Sequence, residues 1–121
     1  MAATLLDSEN GDYNLTSAVT VLTDTPDVAL PTICFAEVFV GDGSKNLDGS
    51  GGTFELTLKI GGVIVDGAAQ SRVIAAGVAR LVWLTVPFPV PANNEVIVQV
   101  KSPNGADTDV DVTAKLWNGS A

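Results

Sequence analysis

The clearest pattern in the chain is the alternation of Thr53-Phe54-Glu55-Leu56-Thr57-Leu58-Lys59-Ile60. Phe54, Leu56, Leu58 and Ile60 share one face, and Thr53, Glu55, Thr57 and Lys59 share the other, which predicts a strand with one buried and one wet side. Gly61-Gly62 and then Val63-Ile64-Val65-Asp66 follow. Two residues able to take positive φ between apolar runs predict a hairpin. The pattern returns near the end of the chain, with Val96, Val98 and Val100 on one face and then Val110, Val112, Ala114 and Leu116 on one face, joined by a turn-rich loop over 102–107. Further strands are expected over 17–23, 33–40, 71–76 and 79–86.

Helix is nearly absent from this reading. The best helical stretch, 67–78, contains Gly67, Gly77 and the β-branched pair Val73-Ile74, which argue against it. Pro87, Pro89 and Pro91 occupy alternate positions and cannot donate to a ladder, so 87–91 is expected as a sheet edge or a segment crossing between sheets. Residues 1–13 are polar and aperiodic and read as an N-terminal arm, leaving 14–121 as the folded domain. About seven or eight short antiparallel strands at spacings of about 8–12 residues predict a single all-β domain, a β-sandwich or jelly-roll-like fold.

Charge narrows the partners. Six basic residues stand against fourteen acidic ones, for a net charge of −8. Binding to nucleic acid relies on cations that neutralise phosphates, so neither nucleic acid nor an anionic membrane is an expected partner. No apolar run approaches the ~20 residues of a membrane helix. The start, Met1-Ala2-Ala3-Thr4-Leu5-Leu6-Asp7, has no basic region and no long apolar core, so it does not read as a signal peptide and folding in a cytoplasm is expected.

The chemistry available to the chain is sparse. There is no histidine, so neither a Ser-His-Asp nor a Cys-His arrangement can be assembled. The one cysteine, Cys34, lies in an apolar run and is expected to be buried. Asp107, Asp109 and Asp111 share strand parity opposite Val110 and Val112, which points them to water rather than into a catalytic pocket. Asp42, Ser44, Asn46 and Asp48 recur at every second position, as at the start of a calcium loop. Leu47 and Thr53 stand where that motif needs glycine and glutamate, so a glycine-rich connection over 41–52 is the better reading. No catalytic residue, metal site or cofactor is expected, and the chain reads as a binding or building protein rather than an enzyme.

What remains are contact residues. Trp83 is expected in the core, whereas Trp117 shares the parity of Asp109, Asp111 and Lys115 and falls on the wet face, as a possible interface anchor or a cap over one end of the sandwich. Arg72 and Arg80 bracket a nearly uncharged stretch and are available to acidic groups within the chain or on a neighbouring subunit. From Val73 to Pro91 the only charge is Arg80, and the run from Val28 to Phe35 is also apolar. Either these strands are buried on both faces, or one face is covered by another subunit, with Pro87, Pro89 and Pro91 as further candidate contacts.

The stretches Phe54-Glu55-Leu56-Thr57-Leu58-Lys59-Ile60-Gly61-Gly62, Val90-Pro91-Ala92-Asn93-Asn94-Glu95-Val96 and Val100-Lys101-Ser102-Pro103-Asn104-Gly105-Ala106-Asp107-Thr108 resemble small β-sandwich accessory proteins of tailed bacteriophage virions, namely capsid decoration (cement) proteins and head or tail fibre modules. The resemblance covers about half of the chain and carries over no site residues. It implies a structural protein on the capsid surface of the virion, made in the host cytoplasm, a homotrimer bound to a major capsid protein. A fibre or adaptor module is one alternative. Another is a carbohydrate- or ligand-binding sandwich whose site joins Trp117 to the 41–52 loop.

Overall fold

The alternating runs form two five-stranded antiparallel sheets with the core between them, and no helix occurs among the described residues. The computed structural model describes residues 4–26, 32–41, 44–65 and 70–119. Along the chain the strands are β1 (Thr4–Tyr13), β2 (Val19–Asp24), β3 (Thr32–Val40), β4 (Gly52–Ile60), β5 (Val63–Ile64), β6 (Gln70–Ile74), β7 (Leu81–Leu84), β8 (Phe88–Val90), β9 (Val96–Lys101) and β10 (Val110–Asn118). Sheet 1 runs β1-β10-β3, with β7 and β8 pairing in turn along the far edge of β3. Sheet 2 runs β2-β9-β4, with β5 and β6 pairing in turn along the far edge of β4.

The core follows the period of two. Cys34, Ala36, Val38 and Val40 of β3 and Val112, Ala114 and Leu116 of β10 face Phe54, Leu56 and Leu58 of β4 and Val96, Val98 and Val100 of β9, all of them buried. Each Val or Leu buried in this way contributes about 1.5–3 kcal/mol. The same alternation fixes register, because a one-residue slip would turn every one of these side chains to water. The hairpin expected after β4 is present. Gly61 and Gly62 both have positive φ, 59° and 84°, and Ile60 pairs with Val63 across them. That geometry suits a two-residue turn matching the twist of its strands.

The N-terminal arm is corrected over most of its length. Thr4–Tyr13 is strand β1, paired with β10 from Thr4↔Asn118 to Tyr13↔Val110. Its sequence hides it because β1 is an edge strand whose inner-parity positions include Asp7, Glu9 and Gly11. These positions close a flank of the sandwich instead of filling its middle. The Glu9 carboxylate accepts the backbone N–H of Thr23, on edge strand β2, at 2.7 Å.

The opposite flank is closed in the same manner by β6. Arg72 and Gln70 pair with the core residues Phe54 and Leu56. The Arg72 guanidinium donates to the Val82 carbonyl of β7 at 2.7 Å, and the Trp83 indole N–H donates to Gln70 Oε1 at 2.6 Å. Trp83 is buried as expected.

The segment 87–91 lies on the edge of sheet 1 rather than crossing between sheets. β8 pairs with the start of β3, and Pro87, Pro89 and Pro91 are exposed. Thr85 bridges the break between β7 and β8. Its N–H donates to the Ala36 carbonyl at 3.0 Å, while its hydroxyl oxygen accepts the Ala36 N–H at 2.9 Å. One buried threonine thereby satisfies both backbone groups of Ala36 where the register shifts by one residue.

Asp107 departs from its expected position on a wet strand face. It precedes β10, so strand parity does not govern it, and only 1% of it is exposed. Its carboxylate accepts the Ser102 hydroxyl at 2.5 Å and the Asp48 N–H at 2.9 Å, and its carbonyl accepts the Leu15 N–H at 2.8 Å. Three loops are tied together at this end of the sandwich. Asp109 is exposed and shares Lys45 with Asp12, at 3.0 and 2.9 Å.

Candidate functional site

Strands β7 and β8 alternate buried and exposed residues, so they are not covered on both faces within the chain. Their outward residues are nevertheless apolar. Val82 is 54% exposed and Leu84 58% exposed, and Pro89 is exposed opposite Ile33. The outward positions of β3 are Ile33, Phe35, Glu37 and Phe39, three of them apolar and Ile33 also exposed. Leu5 of β1 and Trp117 of β10 extend the same face, since Trp117 pairs across strands with Leu5 on one side and Phe35 on the other. The outer face of sheet 1 is thus apolar across its β3, β7 and β8 half and along one row that reaches β1.

Aromatic contacts hold this face in shape. The Phe35 and Trp117 rings stack with centroids 6.3 Å apart and planes 13° apart. The Trp117 indole N–H donates to Glu37 Oε1 at 3.3 Å, and Lys115 Nζ lies 5.4 Å from the centre of the Phe39 ring. Glu37 and Lys115 are directly opposite one another in register. They do not form an ion pair with each other within 4.0 Å; each turns to an aromatic neighbour instead. Gly119 passes along the rim of Phe35, where an added Cβ would sit 2.7 Å from the ring, so the close approach requires glycine.

The structure brings together some of the expected contact residues and separates others. Trp117 and Pro89 lie on the outer face of sheet 1, with Pro87 and Pro91 beside β8 on its edge. Arg72 lies on the flank and binds backbone of its own chain, and Arg80 is exposed just before β7. Trp117 is no end cap; it stacks on the sheet surface. Sequence reasoning did not single out Phe35, Phe39, Val82, Leu84 or Leu5. The signal was the apolar residue at both parities of β3 and β7. The segment 28–31, part of the apolar run before β3, lies outside the described residues.

The elements of a ligand site do not meet. The loop after β3 lies at the start of β10, where the Gly41 N–H donates to the Asp111 carbonyl at 2.7 Å and the Asp111 N–H donates to the Lys45 carbonyl at 2.9 Å. Trp117 is six residues further along β10, about 20 Å away at strand rise. Asp42 lies outside the described residues. Asp48 accepts the Ser50 N–H at 3.0 Å and the Ser50 hydroxyl at 2.8 Å, bonds that hold its carboxyl below the usual range. Among the described residues no group of three or more His, Cys, Asp or Glu side chains is placed to hold a metal ion.

Cys34 is fully buried, and burial, with a smaller effect of the Asp24 charge, pushes its thiol up to about 11. Little thiolate exists at neutral pH in such a site. A shallow depression of about 290 Å³ between β4 and β6 is lined by Glu55, Leu56, Thr57, Gln70 and Ser71, which supply one carboxylate rather than the pair a glycosidase uses.

A second apolar set lies on the free edge of sheet 2, where Val63, Ile64 and Val73 are 69%, 51% and 77% exposed. No helix among the described residues is long and apolar enough to cross a membrane. A scan against models of known protein families gives no match, and a search of curated proteins gives none either.

Proposed function

We propose that this chain is a structural virion protein, a capsid decoration protein that binds the lattice of a major capsid protein as an oligomer. The observation that carries the reading is the open apolar outer face of sheet 1 on a chain of net charge −8. Contiguous apolar surface of this kind on a soluble domain marks a contact site. A decoration protein uses two contact surfaces, one for its own copies and one for the lattice; the outer face of sheet 1 supplies the first and the edge of sheet 2 the second. Strand addition at the β2 and β7 edges is opposed, because Glu9 occupies the first and Arg72 the second. With β5/β6 and β7/β8 each counted as one interrupted strand, the strand order supports a jelly-roll connectivity. A fibre or adaptor module would present the same two surfaces to tail components.

The test starts from genomic context: where a major capsid protein is encoded nearby, the purified protein is co-sedimented with capsids assembled from it. Saturable binding that Val63→Lys or Ile64→Lys weakens is the expected result. Binding to tail or head-completion proteins but not to capsids would favour the adaptor reading. Binding to neither would overturn the structural role.

A further inference from the structure

We propose that Asn104 is a self-modification site, where the chain converts its own asparagine to aspartate or isoaspartate and so unties the loops at one end of the sandwich. The site is independent of the structural role proposed above.

Three asparagines precede a glycine: Asn10, Asn104 and Asn118. Asparagine is a labile residue, and glycine has no Cβ to shield its backbone nitrogen. In the reaction the glycine nitrogen attacks the asparagine Cγ and a new C–N bond forms. The Cγ–Nδ2 bond breaks, and the side-chain nitrogen leaves as ammonia with the proton of the glycine N–H. Water then opens the cyclic imide at either carbonyl, giving aspartate or isoaspartate. Closure needs a glycine nitrogen free to attack. It also needs an asparagine able to leave the extended backbone, in which Cγ and that nitrogen are held apart.

The structure separates the three positions. Asn10 and Gly11 lie inside β1, in register with Thr113 and Val112 of β10. The Asn10 amide donates to Asp111 Oδ1 at 2.8 Å and to Thr113 Oγ1 at 2.7 Å, and the Tyr13 ring lies against Gly11. Asn118 ends β10 in register with Cys34, and the Gly119 N–H donates to the Ile33 carbonyl at 2.8 Å. Reaction at either position would first have to break sheet pairing.

Asn104 and Gly105 lie between β9 and β10, outside any strand. The Asn104 carbonyl accepts the Asp107 N–H at 3.3 Å, which makes a turn with Gly105 as its second residue. Gly105 is exposed, its N–H makes no hydrogen bond among the described residues, and the space where a Cβ would stand is open.

Conversion at this position has a structural consequence. Asn104 Nδ2 donates to the Gly51 carbonyl at 2.8 Å, and the Asn104 N–H donates to Ser102 Oγ at 3.0 Å. The buried Asp107 carboxylate binds both the Ser102 hydroxyl and the Asp48 N–H. Loss of Nδ2 removes the donor to Gly51 and sets a carboxylate against that carbonyl, in the same knot of loops as the Asp107 carboxylate. An acceptor facing an acceptor is unfavourable, and like charges add to it. Isoaspartate also inserts a methylene into the backbone, which displaces the turn. The bond to Gly51 restrains the amide, so the folded chain converts more slowly than a free peptide of the same sequence.

The experiment is incubation of the full chain at mildly alkaline pH, below its unfolding temperature, followed by isoelectric focusing and peptide mapping by mass spectrometry. The expected result is one acidic step that maps to Asn104, releases ammonia and speeds up with hydroxide, while Asn10 and Asn118 stay intact. Gly105→Ala, which fits because φ is not positive there and the space is open, is expected to slow the step severalfold. Asn104→Asp reproduces one product and is expected to speed hydrogen exchange at the Asp48 N–H severalfold. No conversion at Asn104, or equal rates at Asn10 or Asn118, overturns the site. Unchanged exchange at Asp48 in Asn104→Asp overturns its effect on the loops.

Discussion

The Trp117 ring lies nearly parallel to that of Phe35 on the neighbouring strand, 13° between planes and 6.3 Å between centroids, on the solvent side of its sheet. Two large rings stacked outside the core add stability beyond their burial, about 0.5–1.5 kcal/mol for such a pair. A double-mutant cycle with Phe35→Leu and Trp117→Leu, read by chemical denaturation of dilute protein, is expected to give a coupling energy in that range. Additive single effects would show that the stack contributes nothing of its own.

Arg72 guards an edge. Its guanidinium takes the Val82 carbonyl that would otherwise face outward from β7. Arg72→Ala is expected to lower stability by about 1 kcal/mol, a figure reduced from the usual worth of a charged hydrogen bond because the site is exposed. The variant should also aggregate faster on gentle heating, through the unpaired strand edge. Wild-type solubility together with wild-type stability would contradict this role.

Thr85 makes a different kind of bond, since it is buried and serves both backbone groups of Ala36. Thr85→Val keeps the shape and removes the acceptor, which strands the Ala36 N–H at a cost of about 1–3 kcal/mol. Thr85→Ser keeps the hydroxyl and should retain most of that stability. Equal stability of the Val and Ser variants would mean that the hydroxyl bond is dispensable.

Asp24 sets a pH dependence. Burial, and then the charges of Asp7 and Glu9, hold its carboxyl above the ordinary value of 3.8. The folded chain therefore binds this proton more tightly than the unfolded chain. Stability from this group is full below 3.8 and is lost as pH rises through the raised folded value. Asp48 has the opposite sign, but its contribution is lost only as pH falls through a value below 3.8. Thermal midpoints are thus expected to rise on going from about pH 7 to about pH 4.5, with a smaller rise in Asp24→Asn. A midpoint that falls over this window, or an unchanged slope in the variant, counts against the acidic flank as its source.

Different parts of the molecule were legible in the sequence to different degrees. β4, β9 and β10 could be read because each carries apolar residues on one parity and polar ones on the other, as in Phe54, Leu56 and Leu58 against Glu55, Thr57 and Lys59. Trp117 was placed outside the core on the same ground. β1 was not legible, because Asp7 and Glu9 face inward at a flank where polar groups can reach β2. Asp107 was misplaced because parity was counted past the start of β10 into a turn. Phe35 and Phe39 belong to a run apolar at both parities, which reads equally as a doubly buried strand or as one facing a partner. Only the topology, with β7 and β8 at a sheet edge and their outer side chains open, separates these cases. The partner of Arg72 is a backbone carbonyl on the other sheet, which no residue type announces.

The most direct test of the central claim, that the outer face of sheet 1 is a contact surface in the assembled protein, is hydroxyl-radical footprinting at high and low protein concentration. The account predicts that Phe35, Phe39, Leu84 and Trp117 lose reactivity as concentration rises, while Val63 and Ile64 on the edge of sheet 2 stay as reactive as before. Unchanged labelling of the four sheet-1 residues across the concentration range would contradict it.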